Sequence, residues 1–315
     1  MPNTLSGDAI SGTMLVRIPA EEDPNSMRPD SILNKRSVAS DECIKVLWTG
    51  GWDSTFRVLY AAWVEGKRVE PHYIIDTGRR SSFCELRAIS RIKDSLRMRN
   101  KEAYDRIGNL QITSGNEIPQ DAEITDLWKQ LKQKMDLARQ YDWLARYAKS
   151  KNLTALELSI ERDTFEKQDG IDVSLLLKAK VERTPSGSFR IKQGAGDGAE
   201  LFARFEFPIR EYTKVTMREA AKQHGFLEIL EMSWFCHEPI NGKPCGMCKP
   251  CVVVVAQGMG YRLTKKALFC CYLVQFVRKS PLLSKLKLPR QLYHWIRHGS
   301  AGPKVAQTGP VCSHM

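Results

Sequence analysis

The chain has 315 residues, enough to bury a full α/β core as one large domain with appendages. Its formal charge is +12, and no apolar run approaches the roughly 20 residues that a membrane span needs. Residues 1–42 lack the apolar stretch of a secretory leader, so the expectation is a soluble, cytoplasmic protein with nine reduced cysteines, among which clusters suggest metal more than disulfides.

The charge is unevenly spread. Glu238 is the last acidic residue, and Lys243, Lys249, Arg262, Lys265, Lys266, Arg278, Lys279, Lys285, Lys287, Arg290, Arg297 and Lys304 follow it. Those twelve equal the entire excess, so residues 1–238 are neutral overall.

Residues 1–40 are rich in Ser, Pro, Asn and charge without periodicity and read as a disordered leader. Ile44 to Trp48 is then short and apolar enough for a buried strand, and Phe56, Leu59 and Trp63 recur at helical spacing over Thr55 to Glu65. Between them stands Thr49-Gly50-Gly51-Trp52-Asp53-Ser54. Strand, glycine turn and helix N-terminus together make a phosphate site: glycines let backbone approach an anion, and the free N–H groups of the first helical turn point at it. Thr49 and Ser54 add hydroxyls, and Asp53 is suited to hold a cation against phosphate oxygens. Without a Gly-Lys-Ser/Thr sequence this is not a Walker loop.

A second strand, His72 to Ile75, ends at Asp76-Thr77-Gly78, and a helix begins near Ser82. Asn109 to Thr113 is read as a third strand, 122–150 as one long helical region, and Thr154 to Ile160 as a fourth strand ending in Glu161-Arg162-Asp163. Alternating strands and helices predict a doubly wound parallel sheet, with ligands bound beyond the carboxyl ends of the strands. The candidate site is therefore Thr49 to Ser54, Asp76 to Arg80, and Ser159 to Asp163. Val173 to Glu182 and Ser188 to Ile191 flank Pro185-Ser186-Gly187 and predict an inserted β-hairpin. Phe202 to Ile209 reads as another strand, and Thr216 to Gly225 as a helix capped by Thr216.

Cys236, Cys245, Cys248 and Cys251 follow the spacing C-x8-C-x2-C-x2-C, with Cys236 expected at the end of a preceding strand. Four thiolates suit a closed tetrahedral zinc site that staples the fold; an iron–sulfur centre is the other metal reading. Cys270 and Cys271 read as core residues, and Cys43, Cys84 and Cys312 as plain.

The loop at Thr49 to Ser54 resembles the Ser-Gly-Gly-x-Asp-Ser pyrophosphate loop of the N-type ATP pyrophosphatases, with Thr49 in place of the first serine. Together with Met232-Ser233-Trp234-Phe235-Cys236, Cys245-Gly246-Met247-Cys248-Lys249-Pro250-Cys251 and the stretch Pro208 to Lys214, it is similar to the 7-cyano-7-deazaguanine synthases of the queuosine pathway over roughly residues 43–256. The resemblance implies the fold of adenine nucleotide α-hydrolases (HUP type), a domain over 41–256 that includes a zinc loop at 236–251, and a homodimer. It also implies an ATP-dependent ligase that adenylates a carboxylate, releases pyrophosphate and AMP, and forms a carbon–nitrogen bond. Asp53 and Ser54 would be catalytic; Thr49, Gly50, Gly51, Trp52, Asp53, Ser54, Thr55 and Asp76 would bind ATP and Mg²⁺; and the four cysteines would hold Zn²⁺. The chain departs from that family where a Val-Pro-Gly-Arg-Asn substrate segment is expected: it reads Tyr141 to Ala145 instead. The acceptor is thus open to a small molecule, a modified base, a tRNA, a sugar or a protein end. A non-catalytic nucleotide-binding subunit is a further reading.

Residues 257–315 form a basic extension, in which Leu282 to Ile296 interleaves Leu, Tyr and Trp with Lys and Arg. RNA or an anionic membrane surface are the partners such a pattern suggests.

Overall fold

A computed structural model describes residues 42–135, 137–162, 180–196 and 198–279. The elements run β1 (Cys43–Leu47), α1 (Trp52–Leu59, continued by a π turn at Tyr60–Val64), β2 (Arg68–Ile75), α2 (Ser82–Arg99), α3 (Lys101–Arg106) and β3 (Gln111–Ser114). After these come α4 (Ala122–Lys134), α5 (Gln140–Ser150), β4 (Leu156–Glu157), β5 (Val181–Arg183), β6 (Phe189–Ile191) and β7 (Phe205–Glu206). The described chain closes with α6 (Lys214–Gln223), α7 (Leu227–Leu230), α8 (Lys249–Ala256) and α9 (Lys265–Lys279).

Seven strands form one sheet in the order β3-β2-β1-β4-β7-β6-β5. The first five positions are mutually parallel, and β6 and β5 add an antiparallel edge. The fold is thus α/β with a mostly parallel sheet, as the strand–helix alternation predicts. From β1 the chain steps outward through β2 and β3, then crosses back to lay β4 on the other side of β1. The strand order therefore reverses between β1 and β4, which opens a crevice at their carboxyl ends.

Successive residues of β1 point to opposite faces. Leu47 joins Ile74, Leu131, Tyr147, Leu156, Phe202 and Phe205 in the core beneath α4 and α5. Trp48 points the other way and donates its indole N–H to Thr55 Oγ1 at 3.0 Å, which seats α1 on the opposite face. There Phe56, Tyr60, Tyr212 and Phe226 stack with ring centroids 5.2–6.3 Å apart.

A buried ion pair ties α1 to β4. Arg57 of α1 donates from Nε and a terminal nitrogen to both carboxylate oxygens of Glu157 in β4, at 2.6 and 2.8 Å, and from its other nitrogen to Glu65 at 2.8 Å. Burial opposes the guanidinium charge, but the two carboxylates outweigh it and hold Arg57 above its usual range.

Several expectations are corrected. The region 122–150 is two helices, because Met135 has extended dihedrals (φ −152°, ψ 162°) and ends α4. The fourth strand shrinks to Leu156–Glu157, and Phe202 belongs to a 3₁₀ turn (Ala199–Phe202) ahead of β7. Helix α6 starts one turn earlier than predicted, since Thr213 is its N-cap and Thr216 is the reciprocal member of that capping box. The hairpin is present as β5–β6, turning at Gly187 (φ +85°). Its upstream half at 173–179, the leader at 1–40, Asp163, Cys312 and the stretch 282–296 lie outside the described residues.

Removing one partner of a buried pair leaves an uncompensated charge. Glu157→Ala is therefore expected to cost about 3–5 kcal/mol in urea unfolding, whereas Glu65→Ala, at a side chain 28% exposed and with Glu157 still neutralising the guanidinium, should cost less.

Candidate functional site

The loop between β1 and α1 is shaped by Gly50. Its φ is +69°, and a Cβ there would stand 2.8 Å from the Glu85 carbonyl oxygen of α2. Only glycine accepts both conditions. The two hydroxyls of the loop clip its ends together: Ser54 Oγ accepts from the Thr49 N–H at 3.2 Å and lies 3.1 Å from Thr49 Oγ1. Gly51 is the N-cap of α1 and supplies no capping side chain. The N–H groups of Trp52, Asp53 and Ser54, which open that helix, have no acceptor within it, and the helix dipole adds partial positive charge at this end. Such a loop has the backbone shape and polarity that an anion would need.

Three strand ends meet beside it. Asp53 lies in the first turn of α1, which follows β1, Glu161 follows β4, and Lys214 opens α6 after β7. Lys214 Nζ bonds Asp53 Oδ1 and lies 3.0 Å from Glu161 Oε1. Burial works against its charge, yet Asp53 and then Glu161 hold the ammonium above the usual lysine value. Of these three groups only Asp53 carries a role in the sequence-based site. Glu161 is legible there only as a strand-end acid, and Lys214 appears only as the end of the Pro208 to Lys214 stretch that carries the resemblance, with no role until the sheet places it beside Asp53.

The remaining predicted residues divide by position. Thr55 turns its hydroxyl into the core toward Trp48, so it serves the fold. The Trp52 ring is buried under Arg262, whose guanidinium stands 5.1 Å from it. Asp76, at the end of β2, accepts from the Gly78 N–H at 3.0 Å and pairs with Arg79 at 3.2 Å, closing its own turn.

The four cysteines do come together, with all Sγ atoms within 4.8 Å of one another. Cys236 arrives from a loop after α7 rather than from a strand; Cys248 is the N-cap of α8, and Cys251 lies in its first turn. Pairs separate by 3.4 Å (Cys248–Cys251) and 3.9 Å (Cys245–Cys251 and Cys236–Cys248). A tetrahedral ion with metal–sulfur bonds of about 2.3 Å has edges of about 3.8 Å, so the sulfurs fit a single ion such as zinc. Backbone N–H groups support them: Cys245 donates to Cys236 Sγ at 3.2 Å, and Met247 and Cys248 donate to Cys245 Sγ at 3.3 Å each. These second contacts spread thiolate charge and fix the ligands.

Cysteine loop and anion loop are in direct contact. The Trp234 N–H donates to the Gly50 carbonyl at 2.7 Å. Arg262 lies between the rings of Trp52 and Phe235, 5.1 and 5.0 Å from their centroids, and donates to the Ser233 carbonyl at 2.5 Å. Arg262 is another residue that sequence reasoning passes over; in the linear chain it is one cation of a basic tail.

No protein-family model matches the chain, and no curated protein matches it. Function is therefore read from this geometry.

At Gly246 φ is +77°, and a Cβ would lie 1.9 Å from the Ala267 carbonyl oxygen. Gly246→Ala should therefore abolish metal retention, measured as metal per chain by elemental analysis. Gly242→Ala, at φ +69° but with nothing within 4 Å, should keep the metal and lose only about 1 kcal/mol.

The raised Lys214 sets an alkaline limit. A cation whose folded pKa exceeds its unfolded one stabilises fully below the unfolded value and loses that effect as pH rises through the folded value. The difference in melting temperature between wild type and Lys214→Met should stay constant up to the ordinary lysine value of 10.5 and shrink above it. No difference between the two proteins at neutral pH, or one that grows above 10.5, would contradict the pairing.

Proposed function

We propose that the chain is an ATP-dependent, AMP-forming enzyme of the N-type ATP pyrophosphatase kind, resembling the 7-cyano-7-deazaguanine synthases. The single observation that carries the reading is the glycine cradle at the crevice between β1 and β4, with carboxylates and an ammonium gathered at its rim. Gly50, Gly51 and the N–H groups opening α1 hold the pyrophosphate end of the nucleotide. Thr49 and Ser54 fix the loop around it. Asp53 and Glu161 offer the hard oxygen donors that Mg²⁺ takes, and Lys214 supplies positive charge to the phosphates.

The chemistry this supports is substitution at the α-phosphorus. A carboxylate oxygen of the acceptor attacks that phosphorus, and pyrophosphate departs into the cradle. Ammonia then attacks the acyl carbon, and AMP leaves with the former carboxylate oxygen, giving an amide. ATP is needed because AMP is a far better leaving group than hydroxide. Donors fixed by the backbone stabilise the charge that develops on the departing oxygens without reorganising during the step. The four cysteines hold zinc as a staple: all four positions go to protein ligands, leaving none for a substrate.

A second reading changes the acceptor. In the segment where the resembled family places its substrate loop, this chain builds α5. Asp142 is paired there with Arg146 at 2.9 Å and accepts from Thr125 at 2.8 Å, and Arg146 donates to the Pro119 carbonyl at 2.9 Å. Those side chains are committed to the fold. This supports an acceptor other than a deazaguanine carboxylate, activated by the same adenylation.

Asp53→Asn should reduce formation of AMP and pyrophosphate from ATP by at least about a hundredfold, with metal content retained and the chain still folded. Unchanged AMP release from that variant would remove the loop from the mechanism. Supplying candidate carboxylate, nucleobase and tRNA acceptors to the wild type, with AMP as readout, separates the two acceptor readings.

A further inference from the structure

Helix α9 carries an aromatic face on its outer side. Ala267, Cys270, Cys271, Val274 and Val277 are buried, while Phe269, Tyr272 and Phe276 are 68%, 56% and 65% exposed. At about 100° per residue these three rings fall within roughly 60° of arc, one above another. Exposed apolar residues are ordinary when scattered singly; three large rings aligned on one helix are a surface that something covers.

The charges around the face indicate what. From Ala267 to Val277 the sequence holds no charged residue. Cations stand at the two ends instead: Lys265 and Lys266, both exposed, open the helix, and Arg278 and Lys279 close its sequence. A single-stranded nucleic acid needs cations interleaved with the rings, so that phosphates are neutralised where bases stack. A helix lying in a lipid interface needs the opposite order, with apolar rings below the headgroups and ammonium groups level with the phosphates. Fifteen residues at about 1.5 Å each span about 22 Å, short of a bilayer crossing and suited to lying in its plane. From Lys265 onward the sequence adds complementarity, since residues 265–315 hold nine Lys and Arg and no Asp or Glu.

The geometry points to the Phe269–Tyr272–Phe276 face of α9 as a docking surface for an anionic lipid membrane. The proposal is independent of the adenylation chemistry.

The test is co-sedimentation of the full chain with vesicles of phosphatidylcholine alone and of phosphatidylcholine with phosphatidylserine. The wild type should partition onto the phosphatidylserine vesicles, less so as salt rises, and weakly onto the neutral ones. The triple variant Phe269→Ser, Tyr272→Ser, Phe276→Ser should bind about tenfold or more weakly. Its changed side chains face solvent, and an unchanged melting temperature checks its fold. The double variant Lys265→Glu, Lys266→Glu should weaken binding to the anionic vesicles while leaving the rings in place. Equal partition of the triple variant, or no partition of the wild type, overturns the proposal. So does loss of single-stranded RNA binding in the triple variant while vesicles are ignored. Conversion of a dimer to a monomer by that variant, without vesicle binding, would assign the face to a second copy of the chain.

Discussion

A single backbone hydrogen bond, 2.7 Å from the Trp234 N–H to the Gly50 carbonyl, holds the two candidate centres of this protein in register. Gly50 is left-handed and closed against α2, so its carbonyl direction is fixed by the fold. Trp234 meets that carbonyl and donates its indole N–H to the Cys236 carbonyl at 2.7 Å, one residue chain linking anion loop to metal ligand. Arg262 repeats the link in side chains, with Trp52 of the first loop on one side and Phe235 of the second on the other. A metal that orders residues 236–251 therefore also fixes one wall of the cradle. The binding energy of a structural ion is folding energy for whatever is attached to it, and here the attached element is the loop that would grip a nucleotide.

The sheet topology does the rest. Because the strand order reverses beside β1, the ends of β1, β4 and β7 face a shared crevice. Each contributes one charge: Asp53, Glu161 and Lys214. Without ligand the ammonium satisfies both carboxylates and the trio has a net charge of −1. On the proposed reading an incoming triphosphate competes for Lys214 and frees both carboxylates for a divalent cation. The charges a nucleotide and its cation require are thus already present and partly offset one another, which lowers the cost of keeping them partly buried.

Much of this was legible in the sequence, for physical reasons that also explain the rest. Strand β1, the glycine loop and the four cysteines were readable because each depends on local pattern: apolar runs, residues that tolerate positive φ, and short ligand spacings. The alternation of strand and helix announced a mostly parallel sheet, though not its order. The break at Met135 was hidden because Trp128, Leu131 and Met135 continue a helical stripe through a residue that is itself extended. The start of α6 was misplaced by one turn because Thr213 and Thr216 are equally good caps, and only the reciprocal bond between them says which lies outside. Glu161, Lys214 and Arg262 owe their places to contacts across about 53 to 210 positions of chain, a separation at which no periodicity operates.

The basic tail looks different once its cations are sorted by environment. Arg262 is used internally, bonded to Ser233 and lying 3.6 Å from Glu231, so it belongs to the fold. Lys243, Lys249, Lys265 and Lys266 are exposed. Four thiolates around a divalent ion carry a net −2, and N–H donors from Cys245, Met247 and Cys248 only redistribute that charge. Lys243 and Lys249 flank the ligands in sequence, and they are the charged side chains of the 239–251 segment, so the loop carries no carboxylate to repel a thiolate site. Lys265 and Lys266 have no such position; they begin the helix whose rings face outward. On the two proposals together, one acid-free stretch would serve two separate electrostatic tasks, one beside the metal loop within the fold and one at the surface.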